Sequence, residues 1–209
     1  LKIGFITKVK SNHYYRSMVL GATDKAELYD IDLLVRYTST MLAVDEQINQ
    51  IKDLASQKVK GIIIDPIDFV KVAPALKEAH QQGVKIIAIG TPLTKEIIDT
   101  AGFQCPHVGP HNARGAELIA HDLIVAMEGS GEFAIIEGNP DHPTSHIRVN
   151  SVRKVLDTQP SIKIVAQKPA FWDRDQAKTV FKKILDEHPN VHGVFSASDE
   201  MTLGILKAI

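Results

Sequence analysis

Short runs of aliphatic and β-branched residues recur along the chain at intervals of roughly 25 to 30 residues, the length of a strand followed by a helix. Each run is continuously apolar rather than alternating, which is typical of strands that helices cover on both faces. The predicted strands are residues 3–6, 31–35, 61–64 and 85–89 in the first half of the chain, and residues 133–136, 162–165 and 193–196 in the second half.

The segments between these strands carry apolar residues three and four positions apart, which predicts amphipathic helices with one buried stripe. Ile48, Ile51 and Leu54 form one such stripe. Gly83 follows the next predicted helix directly before an apolar run, where a helix has to end. The alternation of strands and helices therefore predicts an α/β protein with parallel, doubly wound sheets.

Residues 100–115 interrupt this pattern, because they are rich in glycine, proline and histidine and hold only a short extended piece. We interpret this stretch as a crossover between two similar lobes, residues 1–109 and residues 110–209. Ligands of open parallel sheets bind outside the carboxyl ends of the strands. We therefore expect the two lobes to enclose a cleft that can open and close.

Composition and charge exclude several classes of function. The 24 Lys and Arg residues are balanced by 25 Asp and Glu residues, so the net charge of -1 provides no general attraction to nucleic acids or anionic membranes. No apolar run approaches the roughly 20 residues needed to cross a bilayer. Cys105 is the single cysteine, which excludes an internal disulfide. The cysteine count therefore does not indicate whether the protein resides in an oxidising or a reducing compartment. The first strand follows Leu1 directly, so we expect any targeting segment to lie outside this sequence.

Residues that follow the predicted strands of the first lobe combine aromatic rings with polar groups. Such a mixture suits a small polar ligand, since rings stack on its apolar faces and its hydroxyls form hydrogen bonds. Two alternatives stay open: Tyr14 and Tyr15 could start a helix and pack on the core, and Asp65 could cap the following helix, although Asp68 is better placed for that role. The candidate ligand-binding residues here are Lys8, Asn12, His13, Tyr14, Tyr15, Asp65 and Thr91.

The second lobe offers a cation, an aromatic ring and two polar groups in corresponding places. Arg148 is expected near the first turn of a helix, where a cation is unfavourable, so its guanidinium points to a ligand unless it is an ordinary surface arginine. Trp172 is the only tryptophan and is either a stacking platform or a hydrophobic plug. Ser198 and Asp199 end the last strand, and Asp199 can cap the final helix and still bind a ligand.

Motifs of common enzymes are absent from the chain. No glycine-rich phosphate loop follows a strand, and there is no Gly-x-Ser-x-Gly sequence. His107 and His111 are four residues apart, as are His142 and His146, but neighbouring prolines disfavour the helical geometry that a zinc site would need. A hydrolase or isomerase would need a nucleophile and base that we do not find. We expect neither catalysis, nor a metal, nor a cofactor.

Three stretches carry a resemblance to a known family: residues 169–175 (PAFWDRD), 188–195 (HPNVHGVF) and 198–204 (SDEMTLG). They resemble the motifs of type I periplasmic solute-binding proteins of the ribose and galactose group of ABC transporters, whose fold is shared with the effector domains of lac-repressor-type regulators. The resemblance covers essentially the whole chain. It implies two lobes joined by a three-strand hinge that close on a ligand, followed by delivery to a membrane transporter or a sensor.

The resemblance also assigns roles to individual residues. Asn12, Tyr14 and Tyr15 match a polar and aromatic entry segment, while Lys8 and His13 resemble a subgroup variation. Asp65 stands where the family has Asn or Asp, and Arg148 where it has a sugar-binding arginine. Trp172 corresponds to a stacking aromatic residue, and Asn112 lies at the hinge crossing.

Departures from the family pattern argue against ribose itself as the ligand. Gly90 and Thr91 stand where many sugar binders have Asp-Arg, Ser198 stands in place of Asn, and Pro110 and His111 replace a common Thr-Asp or Ser-Asp. The family continues beyond the position of Ile209, so the second lobe is expected to be incomplete relative to it.

The sequence thus predicts a periplasmic or otherwise extracytoplasmic solute-binding protein, expected to be a monomer, that captures a sugar or sugar derivative by lobe closure. Its partner would be the membrane permease of an ABC transporter or a membrane sensor, with no nucleic acid bound by this chain. The alternative is a ligand-sensing domain of the same fold, in a membrane sensor kinase or a lac-repressor-type regulator.

Overall fold

All strand pairs in the protein are parallel, and the strands form two separate sheets, one of five strands and one of three. The computed structural model describes residues 1–209. These residues divide into two units, Leu1–Gly109 and Pro110–Ile209, each with its own sheet and its own hydrophobic core. None of the helices is both long enough and apolar enough to cross a membrane.

Unit 1 has the strand order β2-β1-β3-β4-β5, in which the chain first moves outward from β1 to β2 and then returns past β1 to β3. This reversal makes the gap between β1 and β3 the topological switch point of the sheet. Its strands are β1 (Lys2–Thr7), β2 (Asp32–Tyr37), β3 (Gly61–Ile64), β4 (Lys85–Ile89) and β5 (His107–Val108). Its helices are α1 (His13–Leu28), α2 (Val44–Ser56), α3 (Phe69–Gln81) and α4 (Lys95–Ala101).

The core of unit 1 lies on the face of the sheet that α2 and α3 cover. Ile51 and Leu54 of α2 and Leu76 of α3 are fully buried there together with Ile64 of β3. Right-handed crossovers put α1 on the opposite face from α2 and α3, because the direction of travel across the sheet reverses after β2. Ile87 of β4 is 38% exposed as a result, so the prediction that β4 is covered on both faces is wrong.

Unit 2 has the strand order β7-β6-β8, with helices on both faces of the sheet. Helix α5 packs beside α6, and α7 packs beside α8. Phe133, Ile135 and Phe195 are among the buried residues of the sheet. The elements are α5 (Asn112–Ala126), β6 (Gly131–Glu137), α6 (Pro143–Leu156), β7 (Ile162–Pro169), α7 (Arg174–Glu187), β8 (Val191–Ser196) and α8 (Asp199–Ile205).

The predicted α/β class with parallel sheets is confirmed, and each predicted strand coincides with an observed one to within a few residues at its ends. The short extended piece in the crossover is β5. Two helix starts differ from the prediction. Helix α6 begins at Pro143, since proline is tolerated in the first turn, and Arg148 therefore lies in the second turn rather than the first. Ser198, not Asp199, caps α8 through its side chain.

Cys105 lies half-buried beside the core of unit 1, and burial raises the pKa of its thiol, an effect that a hydrogen bond with the backbone of Ala88 partly offsets. Because the thiolate is the reactive form, we expect the alkylation rate with iodoacetamide to rise at higher pH in the folded protein than in the urea-unfolded chain. Rate measurements between pH 7 and 10 test this. Coincident pH midpoints in the two states would contradict it.

Candidate functional site

Three of the predicted ligand-binding residues of unit 1 meet at the carboxyl ends of β1, β3 and β4. Lys8 Nζ lies 3.1 Å from Asp65 Oδ1 and donates a hydrogen bond to Thr91 Oγ1 at 2.9 Å. Thr91 Oγ1 is in turn 2.8 Å from Asp65 Oδ1, to which its hydroxyl donates, and the backbone N–H of Thr91 donates to the same oxygen at 3.3 Å. Three side chains that lie 26 to 83 positions apart in the sequence thus form one polar cluster.

This cluster of Lys8, Asp65 and Thr91 is almost completely buried. The exposed fraction of the surface is 3% for Lys8, 1% for Asp65 and 6% for Thr91. A lysine and an aspartate are seldom buried to this degree unless they are paired, and here the ion pair compensates both charges. Gly90 completes the arrangement. Its φ of +69° favours glycine, and a Cβ at this position would lie only 2.9–3.1 Å from the carboxylate atoms of Asp65.

Gln47 fixes the loop that carries Asp65, and the sequence analysis did not find it. Its side chain is fully buried, donates to the backbone carbonyl of Asp65 at 2.9 Å and accepts from the backbone N–H of Ile67 at 2.9 Å. Gln47 stands four and seven residues before Ile51 and Leu54, on the apolar stripe of α2. A glutamine in such a stripe is the sequence feature that could have identified this role.

Residues 12–15 form the start of α1. Asn12 caps the helix, its Oδ1 accepting from the backbone N–H of Tyr14 at 2.9 Å. Tyr15 is buried, with its ring centroid 5.7 Å from Lys8 Nζ, whereas Tyr14 is 43% exposed and meets the Tyr15 ring edge-on. The His13 ring lies against the guanidinium of Arg16. The helix-starting alternative therefore applies to both tyrosines, and the core-packing alternative applies to Tyr15.

In unit 2, Arg148 connects three elements. Its Nε donates to Asn112 Oδ1 at 2.8 Å, and its Nη1 donates to the backbone carbonyl of Ala197 at 2.6 Å. Asn112 is the first residue of α5, and Ala197 follows β8. The guanidinium is planar and its donors are fixed relative to one another, so two such bonds determine its orientation. Arg148 is accordingly a held side chain rather than an ordinary surface arginine.

Ser198 and Asp199 come directly after the carbonyl that Arg148 binds. The Ser198 side chain accepts from the backbone N–H of Met201 at 3.4 Å and caps α8. Asp199 is exposed in the first turn of the same helix, where the helix dipole favours a carboxylate. Arg148, Ser198 and Asp199 thus gather at the carboxyl end of β8.

Trp172 lies in the turn between β7 and α7, next to the carboxyl end of β6. Its indole is partly buried against the core of unit 2 and meets the ring of His142 edge-on, with centroids 5.8 Å apart and an interplanar angle of 83°. Phe171 and Trp172 have φ values of +52° and +65°, a left-handed conformation that is strained for bulky residues. The hydrophobic-plug alternative therefore holds in part, and the exposed remainder of the ring can still stack.

Each unit thus collects polar and aromatic side chains at the carboxyl ends of its strands. In unit 1 these are the charge-compensated cluster and Tyr15 beside it, and in unit 2 they are the guanidinium of Arg148, the exposed carboxylate of Asp199 and the indole of Trp172. No group of three or more histidine, cysteine, aspartate or glutamate side chains is arranged to hold a metal ion. The arrangement has hydrogen-bond donors and acceptors and aromatic faces, which are the groups that bind polyhydroxylated molecules.

Comparison with known proteins connects this arrangement to one family. Residues 3–209 match the family model of the periplasmic binding protein domain. An ABC transporter periplasmic solute binding protein from Actinobacillus succinogenes 130z, solved with bound D-allose, is 33% identical. It superimposes with a TM-score of 0.93 over 99% of this chain and 72% of its own.

Curated relatives are more distant in sequence. The D-allose-binding periplasmic protein of Escherichia coli K12 is 26% identical over 209 residues, which cover 98% of this chain and 66% of the relative. The D-apiose import binding protein of Actinobacillus succinogenes is 27% identical over 99% of this chain and 64% of the relative. The chain therefore spans a little under two thirds of the length of these relatives.

The buried ion pair in unit 1 gives a prediction about stability. Lys8→Met leaves the carboxylate of Asp65 buried without its counter-charge, and Asp65→Asn leaves the ammonium of Lys8 in the same state. We expect each change to lower the free energy of unfolding by about 3 kcal/mol. The double variant should lose clearly less than the sum, since it buries no charge. Urea denaturation followed by circular dichroism measures the four proteins of this cycle.

The exposed ion pair between Lys2 and Asp32 is the matched control, with 53% and 54% of the side chains exposed and a separation of 4.0 Å. The same substitutions at these two positions should couple by less than about 1 kcal/mol. Additive losses at Lys8 and Asp65 would refute the compensated pair.

Proposed function

The chain belongs to the periplasmic binding protein domain family, and from this membership we propose that it captures a sugar or sugar derivative as part of an extracytoplasmic solute-binding protein. The ligand would be delivered to an ABC transporter. The observation that carries the proposal is the likeness to the D-allose-bound solute binding protein, which extends over 99% of this chain at 33% identity.

The side chains at the strand ends support a neutral polyhydroxylated ligand. Aromatic rings bind the C–H faces of sugars, and carboxylate and guanidinium groups form hydrogen bonds with pairs of hydroxyls. We assign contact roles to Tyr14 and Trp172 on the apolar faces and to Arg148 and Asp199 on the hydroxyls. Asn112 orients the guanidinium through its bond to Nε.

The buried cluster of unit 1 has a different part in the proposal. Lys8, Asp65 and Thr91 already satisfy one another, so a ligand hydroxyl gains from them only when it replaces one of these bonds. Their contribution is to hold the ends of three strands in a fixed geometry beside Tyr15. Binding then costs little reorganisation on this side.

The mechanism we propose is a population shift. A ligand that is contacted by side chains of both units stabilises the conformation in which all these contacts are made at once. The transporter then recognises this ligand-bound conformation. No bond of the ligand is made or broken, so the protein is not an enzyme in this proposal. It acts as a monomer and binds its membrane permease in the ligand-bound form.

Isothermal titration calorimetry against D-allose, D-apiose, D-ribose and D-arabinose tests the proposal, with L-glutamine as a ligand of another class. We expect one of the sugars to bind with a micromolar or lower Kd and L-glutamine not to bind. Absence of binding by every sugar would refute the proposed ligand class.

Arg148 provides the residue-level prediction. Arg148→Met removes the fork of donors, and we expect the sugar affinity to fall at least tenfold, about 1.4 kcal/mol. Arg153→Met on the same helix is the control, because Arg153 is exposed and its Nη1 bonds to Gln167 Oε1 instead. Equal affinities of the two variants in calorimetry would remove Arg148 from the site.

A further inference from the structure

Gly138 lies directly after β6, buried beneath the indole of Trp172. A Cβ added to Gly138 would overlap three indole atoms, Cη2, Cζ2 and Cε2. All three belong to the six-membered ring of the indole. That ring therefore occupies the space that any other side chain at position 138 would need.

The turn that carries Trp172 is fixed to the same strand end. The backbone N–H of Ala170 donates to the carbonyl of Glu137, the residue before Gly138, at 2.9 Å. The N–H of Asp173 then donates back to the carbonyl of Ala170, also at 2.9 Å. These bonds enclose Phe171 and Trp172, the two adjacent residues with positive φ. Strain of this kind persists only where the surroundings determine the backbone, and it is concentrated at binding sites.

His142 supports the indole from a second element. Its ring meets Trp172 edge-on at 5.8 Å between centroids. His142 is itself held, because it caps α6 and its Nδ1 accepts from the backbone N–H of Thr144 at 3.3 Å. Three features thus hold the indole in place: its packing against the backbone of Gly138, the strained turn at residues 171–172, and the edge-on contact with His142.

We propose that Gly138 is a positioning residue whose missing side chain forms the seat that fixes the Trp172 indole for stacking on a sugar. This inference rests on the proposed function for its ligand, whereas the seat itself can be measured without any ligand. A ring that is held before binding loses little conformational freedom on binding, which raises affinity.

Gly138→Ala tests the seat directly. Trp172 is the only tryptophan, so fluorescence emission, acrylamide quenching and near-ultraviolet circular dichroism near 290 nm report on this ring alone. We expect all three to change in the folded variant, because the partly exposed ring can move away from the new methyl group. Gly115→Ala is the control, since its Cβ would meet no atom within 4 Å. Unchanged spectra in Gly138→Ala would overturn the proposal.

A second experiment measures the binding of D-allose by calorimetry. Gly138→Ala should weaken its binding by about tenfold or more relative to the unaltered protein. In a Trp172→Phe background the same glycine substitution should cause no further weakening, because phenylalanine lacks the outer ring atoms that the methyl group would meet. A glycine with only a structural role would give the same loss in both backgrounds, and that result would overturn the proposal.

Two further outcomes remain decisive. If the unaltered protein does not bind D-allose, this sugar is refuted as its ligand. The spectra of the ligand-free proteins then still test whether Gly138 positions the indole. If Gly138→Ala does not fold, recovery of folding on adding Trp172→Phe supports the overlap. Continued failure to fold in that double variant refutes it.

Discussion

Parallel pairing makes all strands of a sheet end at the same edge, and the loops that leave this edge must satisfy whatever polar groups they bury there. In unit 1 the requirement is met by an ion pair, in which Lys8 after β1 faces Asp65 after β3. Thr91 after β4 bonds to both groups. Three strand ends are thereby held in one geometry, and the ring of Tyr15 lies beside them with its centroid 5.7 Å from Lys8 Nζ.

In unit 2 the strand ends are held by hydrogen bonds of an arginine rather than by a buried ion pair. A single guanidinium reaches from α6 to the start of α5 and to the carbonyl that follows β8. The third strand end, after β7, carries an indole that rests on Gly138 instead of a polar group. The strand ends of unit 1 are therefore held by a buried, charge-compensated pair, whereas those of unit 2 carry the hydrogen-bonded guanidinium of Arg148, the exposed carboxylate of Asp199 and the partly exposed indole of Trp172. The difference explains why we assign ligand contacts mainly to unit 2.

Periodicity along the chain was sufficient to predict the strands and the class of fold, because both depend on burial patterns that repeat locally. It failed at Ile87, whose exposure follows from which side of the sheet α1 takes, a property of chain order across the sheet. The strand-end rule singled out Lys8, Asp65 and Thr91, which the structure brings together in one cluster, while their contact with a ligand stays a prediction. Their partners could not be predicted, since a bond between Lys8 and Thr91 joins residues 83 positions apart.

Residues whose role lies in supporting another residue were the hardest to find. Gln47 looks like an imperfect position in an apolar stripe, yet it fixes the loop of Asp65 through two backbone bonds. Gly138 looks like an ordinary turn glycine, and its φ is not positive, so conformational freedom does not explain it. Only the position of an indole 34 residues later in the chain gives the glycine a reason. Sequence reasoning from residue chemistry identifies groups that can bind, but a residue that acts through the space it leaves empty becomes visible only when its neighbours are known.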